Sequence, residues 1–177
     1  MEERFGFIHD KLEIKLLILF LLARLEAPID LDSLTEMTLS CDDGISYFAF
    51  SECMAELIET AHISEVSEHS LIITDKGRRN GQAMESSIPP TVRKQAEAKA
   101  TALARVQRRN AMIKTAHKPR RDGGVTVQLA LSDGLDEILN MELYAANEAQ
   151  AAIITESFNK RAEQVYGQII ALLVDDA

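Results

Sequence analysis

A helix, a turn and a second helix are predicted between residues 30 and 60, and this pattern constrains the fold more than any other feature of the chain. Asp30 can accept hydrogen bonds from the free N–H groups of a first helical turn, and the apolar residues after it recur at helical spacing. Asp42, Asp43 and Gly44 interrupt the periodicity. It resumes with Phe50, Met54, Leu57 and Ile58. Two short helices joined by a turn indicate a helix-turn-helix.

A β-hairpin is predicted directly after the second helix. Residues 62–66 and 70–74 are two short runs of β-forming residues, and the polar residues Ser67, Glu68 and His69 between them favour a turn. A hairpin in this position is typical of a winged helix, in which it is the wing.

An apolar helix is predicted before this stretch. Asp10, with Glu13 three positions later, matches the capping-box pattern, and the helix should run to about Glu26 because Pro28 closes it. Its apolar residues wrap most of the circumference, which indicates burial on more than one side. We expect the helix-turn-helix to cover one face, and a second subunit or the C-terminal half to cover the other.

The domain boundary is predicted at the end of a polar helix that follows the hairpin. Thr74 offers the cap of this helix, and the helix should end near Pro89 and Pro90. The proline pair marks a hinge, so the sequence predicts a winged-helix domain over residues 1–85 and a second module over residues 86–177.

The second module is predicted to be a long helix, a β-hairpin and a final helix. Residues 91–115 are rich in helix formers and lack proline and glycine. After a basic loop at residues 117–124, apolar residues alternate over residues 125–131 and again over 139–144. From about Asn147 they recur at spacings of three and four. The fold class is therefore predicted as α+β.

A weak heptad pattern runs along the long helix, with polar interruptions at Lys99 and Asn110. It predicts packing against a partner helix, and we expect a homodimer. The residues predicted for dimerisation are Val92, Ala96, Leu103, Val106 and Ile113.

The charge is strongly segregated along the chain. Residues 1–75 hold 16 acidic and 4 basic residues, residues 76–121 hold 2 and 13, and residues 122–177 hold 10 and 2. Such segregation is expected either for a nucleic-acid surface or for a basic segment that packs on the acidic ones. Both alternatives stay open here.

A cytoplasmic location is predicted. The N-terminus is acidic and no small-residue cleavage site follows the apolar run at residues 16–23, which is much shorter than the roughly 20 apolar residues of a membrane span. Cys41 and Cys53 lie in apolar helical patterns without metal-binding spacing, which predicts buried free thiols.

Four segments carry a resemblance to a known family. They are residues 10–19 (DKLEIKLLIL), residues 39–50 with Gly44 to Phe48, residues 51–59, and residues 72–77 (IITDKG). Together they resemble the uncharacterised bacterial domain-of-unknown-function family 4364, whose members look like winged-helix transcriptional regulators. The resemblance covers most of the chain, and it implies a fold and a broad class without an established activity. More loosely, the chain is similar to dimeric regulators of the PadR kind.

The second helix of a helix-turn-helix enters the DNA major groove with its N-terminal residues. Here the residues that would meet the base edges are Ser46, Tyr47, Phe48, Ala49 and Ser51. Of these, Ser46, Tyr47 and Ser51 are the predicted DNA contacts. Bases are usually read by arginine, lysine, asparagine or glutamine, which are absent between Ser46 and Thr60. Three glutamates take their place, at positions 52, 56 and 59, so the charge of this helix opposes binding to phosphates.

Basic residues outside this helix could supply the contacts with phosphates. The predicted set comprises Lys76, Arg78 and Arg79 just after the hairpin, and Arg120 and Arg121 in the basic loop.

No catalytic, metal or cofactor site is predicted. Ser40 and Cys41 lack a paired histidine and acid, and there is no glycine-rich phosphate loop. His62 and His69 could hold a metal but are more simply solvated. A small-molecule effector pocket is a further alternative, although its residues are more simply core: Leu129, Leu143 and Phe158.

Two functions are therefore predicted. The first is a DNA-binding transcriptional regulator that acts as a homodimer on double-stranded DNA. The alternative is a winged helix that serves as a protein-interaction or assembly module and binds a protein partner instead of DNA.

Overall fold

The computed structural model describes residues 7–8, 10–67 and 70–174. Within these ranges the chain forms six α-helices and two three-stranded antiparallel sheets, which confirms the predicted α+β class. It divides into two compact units, Met1–Gln107 and Arg108–Ala177. The units therefore divide later in the chain than the predicted boundary after residue 85.

The N-terminal unit contains one sheet and most of the helices. Its elements are α1 (Lys11–Ala23), β1 (Ile29–Asp30), α2 (Leu31–Leu39), α3 (Tyr47–Glu59), β2 (Ile63–Ser67), β3 (Ser70–Ile73), α4 (Asp75–Ala83), a 3-10 turn (Glu85–Ser87) and the larger part of α5 (Pro90–Met112). The predicted hairpin is β2 with β3, and Glu68 and His69 of its turn lie outside the described residues. Strand β1, which we did not predict, pairs with β3 and completes the order β1-β3-β2.

Each of the first four helices begins at a side-chain cap. In every case a carboxylate or hydroxyl oxygen accepts a hydrogen bond from the backbone N–H three residues later, which satisfies a donor that the helix leaves unpaired. The capping residues are Asp10, Asp30, Ser46 and Thr74. At α2 the hydrogen bond from Ser33 lowers the pKa of Asp30. The caps predicted at positions 10, 30 and 74 are confirmed.

Helix α1 is the centre of the N-terminal core. Eight of its thirteen residues are buried, which confirms that more than one side is covered. The cover comes from the same chain, because the buried cluster that contains α1 also contains residues of α2, α3, the sheet and α5. We predicted that either a second subunit or the C-terminal half buries the second face of α1. Helix α5, from the C-terminal half, is part of the core around α1, so the burial of α1 does not require a second subunit. The helix ends at Ala23, earlier than the predicted Glu26.

The first half of α5 packs within the N-terminal unit. Val92, Ala96 and Ala100 are buried in the same cluster as α1, and Leu103 packs against it. Polar contacts with the same unit accompany this stripe. Arg24 forms an ion pair with Glu97, the Lys99 ammonium donates to the Ser40 hydroxyl (2.7 Å), and the Gln107 amide donates to the Ala27 carbonyl (3.2 Å). This packing explains why the first unit extends to residue 107.

The dimerisation surface predicted along α5 is therefore wrong for three of its residues. Val92, Ala96 and Leu103 contact the core of their own chain. Ile113 lies beyond the end of the helix, in a strand, and packs against the core of the C-terminal unit. Val106 alone is an exposed residue of the helix. The heptad spacing correctly indicated an apolar stripe, but spacing does not say which apolar surface the stripe meets.

The C-terminal unit is a three-stranded sheet with a helix packed on one face. Its elements are β4 (Ile113–Pro119), β5 (Val125–Ser132), β6 (Glu137–Ala145) and α6 (Glu148–Val174). The predicted hairpin β5–β6 and the final helix are confirmed. The apolar residues of β5 point towards a core that includes Ala151, Phe158 and Ala162 of α6.

Strand β4 replaces the end of the predicted long helix and the first three residues of the predicted basic loop. It pairs with β5 along its whole length, from Ile113 opposite Leu131 to Pro119 opposite Val125. Pro119 is tolerated because β4 is an edge strand. The loop shrinks to a tight turn in which Gly123 has a φ of 85°, a conformation that favours glycine.

Two further observations concern the chain as a whole. No helix among the described residues is long and apolar enough to cross a membrane. Cys41 and Cys53 are free, buried thiols, as predicted, and burial raises the pKa of both.

Candidate nucleic-acid interface

Helix α3 presents its N-terminus to solvent. Its inner face is buried in the core through Phe50, Cys53, Met54 and Leu57. At the opposite side of the first turn, the side chains of Tyr47 and Phe48 are 65% and 71% exposed. Of the three predicted contacts on α3, Ser46 forms the cap by accepting from the Ala49 N–H (3.1 Å), Tyr47 is exposed and Ser51 is half-buried.

The turn between α2 and α3 is fixed by a buried carboxylate. The Asp42 side chain accepts hydrogen bonds from the backbone N–H groups of Gly44 (2.7 Å) and Ile8 (2.8 Å). Ile45, which follows, is buried in the core. These contacts set where α3 begins, and thereby which residues of its first turn face solvent.

Two of the three glutamates of α3 are paired with α1. Glu52 forms an ion pair with Lys11 (2.8 Å), which raises the lysine pKa, and Glu56 forms an ion pair with Lys15, which lowers the glutamate pKa. Glu59 has no ion-pair partner among the described residues. The acidic charge of α3 that opposes DNA binding is thus balanced at two of its three glutamates. A signal for this was present in the sequence, because the two lysines are four residues apart on α1 and the two glutamates are four residues apart on α3.

The outer face of α3 carries exposed apolar side chains besides its glutamates. Phe48, Ala55 and Ile58 are exposed there, and Val66 of β2 is also exposed. Phe48 is one of the N-terminal residues of α3 that the sequence predicts to meet the base edges. The outer face therefore offers hydroxyl, aromatic, aliphatic and carboxylate groups, without the arginine and amide donors that usually read bases.

The three predicted basic residues of α4 have different environments. The Arg78 guanidinium donates to the Ala23 carbonyl at the end of α1 (2.7 Å), so this side chain links α4 to α1. The Lys76 ammonium donates to the Thr60 carbonyl at the end of α3 (2.6 Å), but Lys76 remains exposed. Arg79 is exposed and has no partner among the described residues. Of the three, Arg79 has its charge most available for a ligand.

Arg120 and Arg121 lie in the C-terminal unit, at the turn between β4 and β5. The Arg120 guanidinium is 3.3 Å from the Asp122 carboxylate and 5.5 Å from the centre of the Tyr144 ring. Arg121 is exposed. The predicted DNA contacts are thus divided between the two units, with six in the first and two in the second.

His62 uses both ring nitrogens within the N-terminal unit. Nδ1 lies 2.8 Å from the Thr60 hydroxyl, and Nε2 lies 2.8 Å from the Asn80 amide nitrogen. Burial, assisted by the charge of Lys76, lowers the pKa of His62. His69, the other histidine considered for a metal, lies outside the described residues. Among the described residues, no three potential ligands are grouped so that they could hold a metal.

Comparison with known proteins yields one match. The family model of a domain of unknown function, DUF4364, matches residues 14–173. No curated protein and no solved structure matches the chain. Because the match covers nearly the whole sequence, the chain belongs to the DUF4364 family, in agreement with the resemblance of its motifs.

Proposed function

We propose that this member of the DUF4364 family is a cytoplasmic, non-enzymatic transcriptional regulator of the winged-helix type that binds double-stranded DNA as a homodimer. The observation that carries the proposal is the order of the N-terminal elements. A helix, a short strand, two helices joined by a turn and a hairpin follow one another, and the short strand joins the hairpin in one sheet. This arrangement leaves the N-terminus of α3 exposed, as a recognition helix requires.

The first turn of α3 would contact the DNA. A helix N-terminus attracts phosphate, and the hydroxyl of Tyr47 can donate a hydrogen bond to a phosphate oxygen. The exposed ring of Phe48 suits an apolar contact with a thymine methyl group. Since α3 carries no arginine or amide side chain, we expect it to discriminate weakly between base pairs.

Contacts with the phosphate backbone would come from basic residues outside α3. In the N-terminal unit these are Lys76 and Arg79, which are both exposed. In the C-terminal unit, Arg120 and Arg121 are proposed as further contacts with the phosphate backbone. These contacts would supply most of the affinity, which should therefore depend strongly on salt.

The homodimer would use the exposed apolar end of α6. Its last two turns expose Ile170, Leu172, Leu173 and Val174. A cluster of exposed aliphatic side chains of this kind is typical of an interaction surface. This surface takes the place of the one predicted along α5.

Replacement of Arg79 by alanine should weaken DNA binding without affecting stability, whereas replacement of Arg78 should lower stability. Arg79→Ala should reduce the slope of log affinity against log salt by about 1, because one phosphate contact is lost, and it should leave the melting temperature unchanged. Arg78→Ala should lower the free energy of unfolding by about 1.5 kcal/mol, since the Ala23 carbonyl loses a charged hydrogen-bond donor. Fluorescence anisotropy with duplex DNA and urea unfolding measure the two quantities.

Arg78→Ala serves as the matched control for charge, because both variants remove one positive charge from α4. An equal reduction of the salt slope in both variants would mean that net charge, and not a contact from Arg79, determines the affinity.

A second function is favoured by the chemistry of the outer face of α3. The exposed Phe48, Ala55 and Ile58 resemble a protein-binding surface more than a base-reading one, and Glu59 beside them has no ion-pair partner in the part of the chain that the structure describes. In this alternative the same exposed helix binds a protein partner, and the purified chain would have no salt-dependent affinity for DNA.

A further inference from the structure

The C-terminal unit contains an apolar groove of 410 Å³ between α6 and the sheet. The sheet contributes Leu129, Met141 and Leu143, and α6 contributes Ile153, Ile154, Phe158 and Val165. The side chain of Ile153 is 65% exposed at the rim. A groove of this volume and lining falls in the range that small-molecule sites occupy.

The polar groups of the groove all lie on α6. They are Ser157, Arg161, Gln164 and Gln168, and no carboxylate is among the described residues that line it. The groove therefore carries a single formal charge, which is positive.

Arg161 has no hydrogen-bond or ion-pair partner among the described residues, unlike the cations near it. Lys160 is paired with Glu156, and Arg109 is paired with Glu163. Arg161 also interrupts the helix, with φ −135° and ψ 23°. An unpaired guanidinium at the wall of an apolar groove is suited to a planar anion, because its N–H groups match a carboxylate in geometry and charge.

A second groove, of 470 Å³, lies in the N-terminal unit and lacks this property. Its charged residues Lys15 and Glu56 are paired with each other, and both ring nitrogens of its histidine, His62, are engaged. A ligand there would have to displace existing contacts, whereas a ligand at Arg161 would displace no hydrogen bond or ion pair with a described residue.

We propose that the groove of the C-terminal unit binds a small apolar carboxylate, with the hydrocarbon against Leu143 and Phe158 and the carboxylate on Arg161. The inference goes beyond DNA binding and does not depend on it. A regulator with such a site would respond to organic acids.

Isothermal titration calorimetry of the full chain, in the absence of DNA, tests the proposal with octanoate as the ligand. Octanol, which has the same chain length without the charge, is the matched ligand. The wild-type protein should bind octanoate, and Arg161→Gln should weaken octanoate binding about tenfold through loss of a charge-assisted hydrogen bond. Octanol binding should not change in this variant.

Two further variants control for charge and for the apolar wall. Lys160→Gln removes the neighbouring cation, which does not line the groove, and should leave octanoate binding unchanged. Ile153→Ser should weaken octanoate and octanol alike without lowering the melting temperature, because Ile153 is exposed.

Two outcomes would overturn the proposal. One is an equal affinity for octanoate in the wild-type protein and Arg161→Gln, and the other is the absence of octanoate binding. If octanoate does not bind and Ile153→Ser converts a dimer to a monomer in sedimentation experiments, the groove is instead a contact with a second copy. None of these outcomes bears on whether the N-terminal unit binds DNA.

Discussion

Replacing Gly77 with alanine is expected to lower the free energy of unfolding by about 3 kcal/mol, although alanine is the better helix former. Gly77 is buried in the first turn of α4. A Cβ atom there would lie 2.2 Å from the carbonyl oxygen of His62 and 2.9 Å from a side-chain carbon of Ile73. That carbonyl also accepts the backbone N–H of Thr74 (3.0 Å), so either α4 or the start of β2 must move.

Gly167→Ala provides the matched control for this change. Gly167 is also within a helix, α6, but nothing lies within 4 Å of the Cβ position. The same substitution should therefore raise the free energy of unfolding by about 0.5 to 1 kcal/mol. Urea unfolding followed by far-ultraviolet circular dichroism measures both. A Gly77→Ala variant as stable as the wild type would show that α4 does not pack against the hairpin as described.

Replacing Phe48 with glutamate is expected to weaken DNA binding about thirtyfold, because it adds a negative charge where the first turn of α3 would meet the phosphates. The variant should remain folded, since the ring is largely exposed. Affinity is measured by fluorescence anisotropy at fixed salt, and folding by thermal melting. An unchanged affinity would mean that the N-terminus of α3 does not contact DNA.

Leu135→Glu controls for the change in net charge. Leu135 lies in the turn between β5 and β6 of the C-terminal unit and is 91% exposed. The substitution adds the same charge at a residue outside the proposed interface. We therefore expect less than a threefold loss of affinity for DNA, because salt screens the repulsion between a distant charge and the phosphates. Equal losses in the two variants would assign the effect to net charge.

The elements that follow from local sequence were predictable. Asp30 and Thr74 have the side chains that cap helices, and α2, α3 and α6 have apolar residues at helical spacing. The alternation in β5 identified a strand with one buried face. In each case a few neighbouring residues contain the information.

The strands β1 and β4 were missed because pairing creates them. β1 has only two residues and is defined by its contact with β3. β4 continues directly from a helix and becomes a strand because β5 lies beside it along its whole length. Strand formation depends on such neighbours more than on the residues themselves.

The candidate site was predictable in its location but not in its details. Ser46 and Tyr47 follow from the position of α3, whereas Arg78 and Arg79 are adjacent and chemically identical in the sequence. Only the fold shows that Arg78 bonds the end of α1 and that Arg79 faces solvent. For α5, likewise, the sequence predicted an apolar stripe, but only the fold shows that the stripe packs against the core of its own chain.

The measurement that tests DNA binding most directly is fluorescence anisotropy of the purified wild-type protein with random-sequence duplex DNA, at about 50 and 200 mM salt. We predict binding at the lower salt concentration and a loss of affinity of at least tenfold at the higher one, because phosphate contacts supply most of the affinity. A folded protein that does not bind even at the lower concentration would contradict the account. The apolar and acidic outer face of α3 would then identify the N-terminal unit as a protein-interaction module.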